Sequence, residues 1–319
     1  MTPTRISLLA SIAALLVLPL LTQSSYFHHL LVLWMLYALL ALSLNIIVGY
    51  LGELSFGHAA FFGIGAYVTA ILTMEYGVNG IAALLAAGLI AGLFGAVIGY
   101  VALRIEGPQF AILTLGFGSI IYTVTTYWVD LTRGPMGISN IPYFSFGFGL
   151  PAFESARANY YLVLGFVFLA AYACHALVTS RTGRSFIALR ENAPLAASLG
   201  VDTFLMKLLG FVAATVMAGI GGALYAHYVR VITPELMSLN YMAALVIMVV
   251  VGGRGTIVGP ILGALVYVGL LELLRATGAM RLMIFAVLLT VSVIFRPGGL
   301  VSLGRRLLRP LLVRRTGDA

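Results

Sequence analysis

Apolar runs of about twenty residues, nearly empty of charge, follow one another along this chain, and no water-soluble core could enclose so many. A helix needs about 20 mostly apolar residues to cross the roughly 30 Å hydrocarbon layer of a bilayer. Bounded by polar breaks, ten such runs can be marked, at about 6–22, 27–49, 59–76, 80–103, 110–129, 159–179, 206–229, 238–252, 257–274 and 282–295. Charged residues make up only 9% of the chain and mean hydropathy is +1.08, whereas a soluble domain carries roughly 25% charge. The runs are continuous and rich in Leu, Ala, Val and Ile, which argues against the alternating strands of a β-barrel. The expected fold is an all-α integral membrane protein, a polytopic bundle of about 8 to 10 transmembrane helices. The lower figure allows for 238–252 and 282–295, which are short enough to be partial, broken or re-entrant.

Basic residues orient the bundle. With the N-terminus in the cytoplasm, thirteen of the 18 Lys and Arg fall inside, among them Arg104, Arg181, Arg184, Arg190, Lys207 and Arg254. Only Arg133, Arg157, Arg230, Arg275 and Arg281 fall outside, the bias expected of cytoplasmic loops. Both termini are therefore expected in the cytoplasm, and the net charge of +8 reads as topology rather than as nucleic-acid binding. Residues 1–22 have the charge and apolar stretch of a signal peptide but no A-x-A cleavage site, so they read as a retained first helix. The single cysteine, Cys174, lies in an apolar run and excludes a disulfide or a cysteine metal cluster. The division expected is a transmembrane domain at 1–300 and a basic cytoplasmic tail at 301–319.

Two hydrophilic stretches exceed a tight turn. The first, about 130–158, is external by this topology and reads either as a surface loop or as a cap over a pathway or partner seat. The second, about 180–206, is cytoplasmic. Asn192 or Ala193 can cap a helix started by Pro194, and Gly200 is a natural left-handed terminator. One or two short helices follow, with Phe186, Leu189, Ala193, Ala196 and Ala197 on an apolar face and Arg181, Arg184 and Arg190 on a basic one. Such a segment lies in lipid headgroups or fits a groove on a soluble partner; Glu191 and Asp202 interrupt the basic face and favour the protein partner.

Absences narrow the function. The one lysine, Lys207, is followed by Leu208, so the chain has no phosphate-cradling Walker site. Candidate acids and histidines in or beside the runs are few (Glu53, His58, Glu75, His175, His227, Glu272) and mostly near run ends, which disfavours a proton-coupled carrier. Neither a His/Glu metal pair nor a nucleophile–base constellation is present, so no catalytic residue and no metal ligand is assigned. A transport subunit without an engine implies an engine on another chain.

The run Gly49-Tyr50-Leu51-Gly52-Glu53-Leu54-Ser55-Phe56-Gly57-His58-Ala59-Ala60-Phe61-Phe62-Gly63-Ile64-Gly65-Ala66-Tyr67 resembles the signature of the branched-chain amino acid ABC importer permeases of LivM type. Phe110-Ala111-Ile112-Leu113-Thr114-Leu115, the 180–200 loop, Val251-Gly252-Gly253-Arg254-Gly255-Thr256-Ile257-Val258-Gly259-Pro260 and Phe295-Arg296-Pro297-Gly298-Gly299-Leu300 agree with it in family order. The resemblance implies a multi-pass protein of the bacterial inner membrane, paired with a second permease subunit, driven by two cytoplasmic ATPase subunits and supplied by a periplasmic substrate-binding protein. This chain would bind no cofactor, ATP and Mg being held by the partner ATPases. The cytoplasmic loop would be the coupling segment, with Arg184, Arg190, Glu191, Asn192, Ala196, Ala197 and Gly200 as candidate residues. Aligning its glycine on Gly200 places Pro194, Leu195 and Ala196 where importers carry Glu-Ala-Ala, so no acid there is carried over. Gly52, Glu53, Ser55, Gly57, His58, Tyr67 and Thr114 are candidates either for the pathway or for packing. Related permeases carry urea or short amides, and an ion-coupled secondary carrier or a membrane-embedded enzyme are the rival classes.

Overall fold

A helix that is apolar all round has no face to give to water and belongs at the centre of a bundle. The computed structural model shows this for Ser25–Asn45 (α1), which Ser24 caps and which a π-helical turn, Ile46–Leu51, prolongs. Of the best membrane-spanning window in Ser25–Leu51, 89% is buried. The structure describes residues 13–20, 24–105, 107–147, 151–275 and, beyond these, 280, 283, 284, 287 and 299–302.

Around α1 stand His58–Met74 (α2), Gly80–Ala102 (α3), Pro108–Tyr127 (α4), Ala156–Thr179 (α5), Thr203–Val229 (α7), Leu239–Gly252 (α8) and Val258–Leu273 (α9), with the polar helix Arg181–Ser198 (α6) between α5 and α7. Eight of the ten expected spans thus appear as helices. The run 238–252 is one continuous helix that stops at Gly253, whose φ of 122° a side chain would not tolerate. Of the first run, residues 13–17 are helical and Leu18–Leu20 form a 3-10 turn. The run 282–295 and the tail 301–319 fall almost wholly outside the described residues. Among the described residues, five helices are long and apolar enough to cross a membrane, and α2, α8 and α9 are shorter apolar ones.

The helices meet where small residues let backbones approach. Helix α7 packs on α2 and α3, and α1 on α5, α7, α8 and α9. Gly222 of α7 sits so close to the Phe62 carbonyl of α2 that a Cβ there would collide with it. This is the packing expected in lipid, where the attraction comes from van der Waals fit rather than from expelling water. Tyr37, Tyr241 and Tyr267 join α1, α8 and α9, their ring centroids 5.7–6.0 Å apart from that of Tyr37.

The described residues of the 130–158 stretch form a run of short elements. After a one-turn helix, Val129–Thr132, and a 3-10 turn, Gly134–Met136, strand Ile138–Ser139 (β1) pairs antiparallel with Val231–Ile232 (β2), just past the end of α7. Ile138, Ile141 and Phe144 are buried. Arg230 Nε donates to the Ile141 carbonyl at 2.8 Å, and Gly80 N to the Ser145 carbonyl at 3.1 Å. The stretch therefore folds back over this end of the bundle, and its last residues already belong to α5, three residues earlier than the run at 159–179 suggested.

Candidate functional site

At the start of α7 four separate stretches of sequence come together. The end of α1 reaches Gly52, whose φ of 80° turns the chain into the segment leading to α2. Asn45, at the end of α1, spans the gap to the α8–α9 turn: its Oδ1 accepts from Gly255 N and its Nδ2 donates to the Thr256 carbonyl, both at 2.9 Å. Gly49 lies against Gly255 N with no room for a side chain. From α6, Arg190 Nη1 donates to the Gly49 carbonyl at 2.7 Å, and the same guanidinium pairs with Glu191 at 2.6 Å. Gly299, from the 295–300 stretch, packs on Gly252 and Gly253. A depression of about 500 Å3 opens here between Val48, Gly52, Arg190, Glu191 and Arg254.

An ion pair underlies this junction. Lys207 Nζ lies 2.7 Å from Glu53 Oε1, with side chains 6% and 13% exposed. Two charges out of water are tolerated only when paired, and removing one partner strands the other. The pair ties the segment after Gly52 to the first turns of α7. Sequence reading marked Glu53 but did not find its partner; the sole lysine, at the head of an apolar run, was the available signal, since a buried lysine requires a counter-charge.

The remaining candidates of the signature run lie elsewhere. Thr114 of α4 accepts from Phe56 N at 3.1 Å and donates to the Ala111 carbonyl at 3.0 Å, while Gly57 abuts the Thr114 carbonyl. His58, fully buried, bonds Ser43 Oγ through Nε2 at 2.8 Å. Because that hydroxyl donates to the Leu40 carbonyl at 2.6 Å, His58 must donate from Nε2. Ser55 Oγ, His58 Nδ1 and Tyr67 Oη are buried without a hydrogen-bond partner. Tyr67 sits further along α2, apart from both groups. Gly52 thus packs on Arg190 of α6 and Glu53 pairs with α7, while Gly57 and Thr114 meet where the chain entering α2 touches α4 and His58 faces Ser43 of α1.

Helix α6 is two helices. Asn192, at φ −159° and ψ 96°, breaks it, and its Oδ1 accepts from Leu195 N at 3.0 Å, so Asn192 rather than Ala193 is the cap and Pro194 is the second residue of the second piece, still within the first turn that needs no N–H. Gly200, at φ 85°, ends it, with Val201 N donating to the Ala196 carbonyl at 3.1 Å. Phe186, Leu189 and Ala196 are buried, Phe186 against Gly210 of α7. The expected single apolar face is divided: Ala197 is exposed, beside Leu195 at 58% and Leu199 at 77% exposure. Arg184 is exposed too, its guanidinium donating to the Thr179 carbonyl at 3.2 Å. The inner half of α6 is thus seated on the bundle, and the outer half offers an uncovered apolar tip. Among the described residues no group of three His, Cys, Asp or Glu could hold a metal ion.

The arrangement has relatives. Residues 26–294 match the family model described as branched-chain amino acid transport system / permease component. The chain is 34% identical over 294 residues to the high-affinity branched-chain amino acid transport system permease protein LivM of Escherichia coli, covering 86% of this chain and 69% of that one. It is 27% identical over 281 residues to LivH of Salmonella typhimurium, covering 82% and 90%. It is 26% identical over 318 residues to a probable LivM of Methanocaldococcus jannaschii, covering 84% and 91%. No solved structure matches. With most of its length matched in this way, the chain belongs to the family of branched-chain amino acid transport system permease components.

Proposed function

We propose that the chain is the LivM-type permease subunit of an ATP-driven importer of branched-chain amino acids in the bacterial inner membrane, with both termini in the cytoplasm. One observation carries the reading. The outer half of α6, from Pro194 to Gly200, presents exposed Leu195, Ala197 and Leu199, while its inner half is fastened by Arg190 to the Gly49 carbonyl. An apolar tip held rigidly at one end of a membrane bundle calls for a protein cover, and two cytoplasmic ATPases are the covers proposed, holding the ATP and Mg that this chain does not. A pull on the tip reaches α1 through Arg190 and α7 through the chain itself, so closure of the ATPases would rock both helices.

The second permease is proposed to be a LivH-like paralogue. Escherichia coli has relatives of this chain under both names, and the identity is higher to LivM than to LivH. A periplasmic binding protein would deliver substrate at the end of the bundle opposite α6. The test is co-purification from native membranes on a C-terminal tag. Recovery of an ATPase and a second permease from the parent chain, and their loss from Ala197→Asp, is the expected result. Recovery of this chain alone, transporting on an ion gradient without ATP, would move the assignment to a secondary carrier.

A further inference from the structure

The end of the bundle away from α6 carries a carboxylate that no described cation neutralises. Glu235 lies on the 3-10 turn Pro234–Met237, whose other three residues are buried. Met237 is wedged against Gly63 of α2 and accepts a hydrogen bond from Thr125 Oγ1 of α4 at 3.6 Å. Just before the turn, β2 is held by its pairing with β1. Both flanks of the turn are therefore fixed, which sets the backbone at Glu235, its one exposed residue. Among the described residues Glu235 has no ion-pair partner.

Glu235 lines a cavity of about 210 Å3 with Tyr122, Thr126, Pro135, Thr233 and Pro234. Thr126 donates its proton to the Tyr122 carbonyl at 2.7 Å, which leaves the hydroxyl oxygen free to accept. The lining thus offers a carboxylate, acceptor oxygens and the apolar surfaces of a tyrosine ring and two prolines, with no cation among them. That chemistry fits an ammonium group carried on an aliphatic body. Ser119 lies one helical turn from Tyr122 and two from Thr126, so all three share a face of α4. On that side of the helix Gly116, Ser119 and Thr123 are exposed, small or polar groups set among the apolar Ile112 and Ile120.

We propose that this cavity receives the α-ammonium group of a free amino acid as it enters the permease, with Glu235 as counter-charge and the face of α4 from Thr126 to Ser119 as the first stretch of the path. The proposal rests on the reading of the chain as an amino acid permease subunit. The Glu53–Lys207 pair cannot serve in this way, because its charges already satisfy each other.

The experiment is uptake of radiolabelled L-leucine by the whole complex in proteoliposomes, with ATP inside and leucine-loaded binding protein in excess. Glu235→Gln should lower the maximal uptake rate roughly tenfold, with ATPase stimulation by the binding protein retained, and Glu235→Asp should restore most of it. In parallel, Ser119→Cys should react with a membrane-impermeant thiol reagent and be protected during leucine transport, whereas Leu89→Cys on α3 should not react. Leucine uptake by Glu235→Gln at the parent rate, or an unreactive Ser119→Cys, overturns the proposal. No ATP-dependent leucine uptake by the parent complex overturns instead the reading it rests on, and the proposal falls with it.

Discussion

The two ends of the bundle, separated by the 27 residues of α7 or roughly 40 Å, treat their polar groups in opposite ways. Beside α6 the polar groups answer one another: Asn45 with Gly255 and Thr256, Arg190 with Gly49 and Glu191, Glu53 with Lys207. Left open there are the apolar tip at Leu195 and Leu199 and the exposed Arg254 of the depression. At the far end two-residue strands and a short turn hold the surface, and Glu235 stands exposed on that turn with no ion-pair partner among the described residues. A closed polar junction with an apolar handle suits a part that transmits force. An open carboxylate on a fixed turn suits a part that meets a solute.

Perturbing the closed junction should have the largest effect. Lys207→Met leaves the Glu53 carboxylate buried and unpaired, which should cost about 3–5 kcal/mol; a much lower apparent Tm of the purified subunit is expected, with partial recovery in Lys207→Met/Glu53→Gln. An unchanged Tm in the single variant would mean that the pair is not closed in the working protein. Ala197→Asp places a charge on the tip without touching the junction. Docking should weaken by roughly 2–5 kcal/mol, read as loss of the ATPase in a pull-down while membrane insertion and Tm stay at parent values. Should Tm fall instead, the tip is part of the fold rather than a handle.

Asn45→Ala removes both bonds across the Gly255–Thr256 turn and should lower stability by about 1–3 kcal/mol. The same variant should speed amide exchange at Gly255, and an unaltered rate would exclude Asn45 as the bridge. The smallest effect belongs to Asn192→Ala, which deletes the cap of the outer half of α6 at about 1 kcal/mol. It should reduce transport modestly and leave Tm untouched, separating the handle from the junction once more.

Much of this was legible in residues close together in sequence. The kink in α6 could be read from Asn192 followed two residues later by Pro194, and its end from Gly200, because a cap and a left-handed terminator act over three or four residues. The helical runs could be read because the bilayer imposes one length on each of them. The pairing of Glu53 with Lys207, of Asn45 with Gly255, and of β1 with β2 could not, since each joins positions roughly 90 to 210 apart and leaves no periodic mark. Ala197 was assigned to the apolar face with Phe186; the turn at Asn192 rotates it to the outside.

A helix in hydrocarbon must satisfy its own backbone and cover itself with apolar side chains, and both demands are met locally, so the sequence by itself determined the membrane class and the helical segments. The gathering of the Gly49–Glu53 run, the Gly252–Thr256 run and Arg190 at one junction was decided only by the tertiary structure. So was the separation of Glu235 from every countercharge among the described residues. Polar groups in a membrane bundle choose their partners by where helix packing brings them, and that packing is set by the fit of many small residues at once.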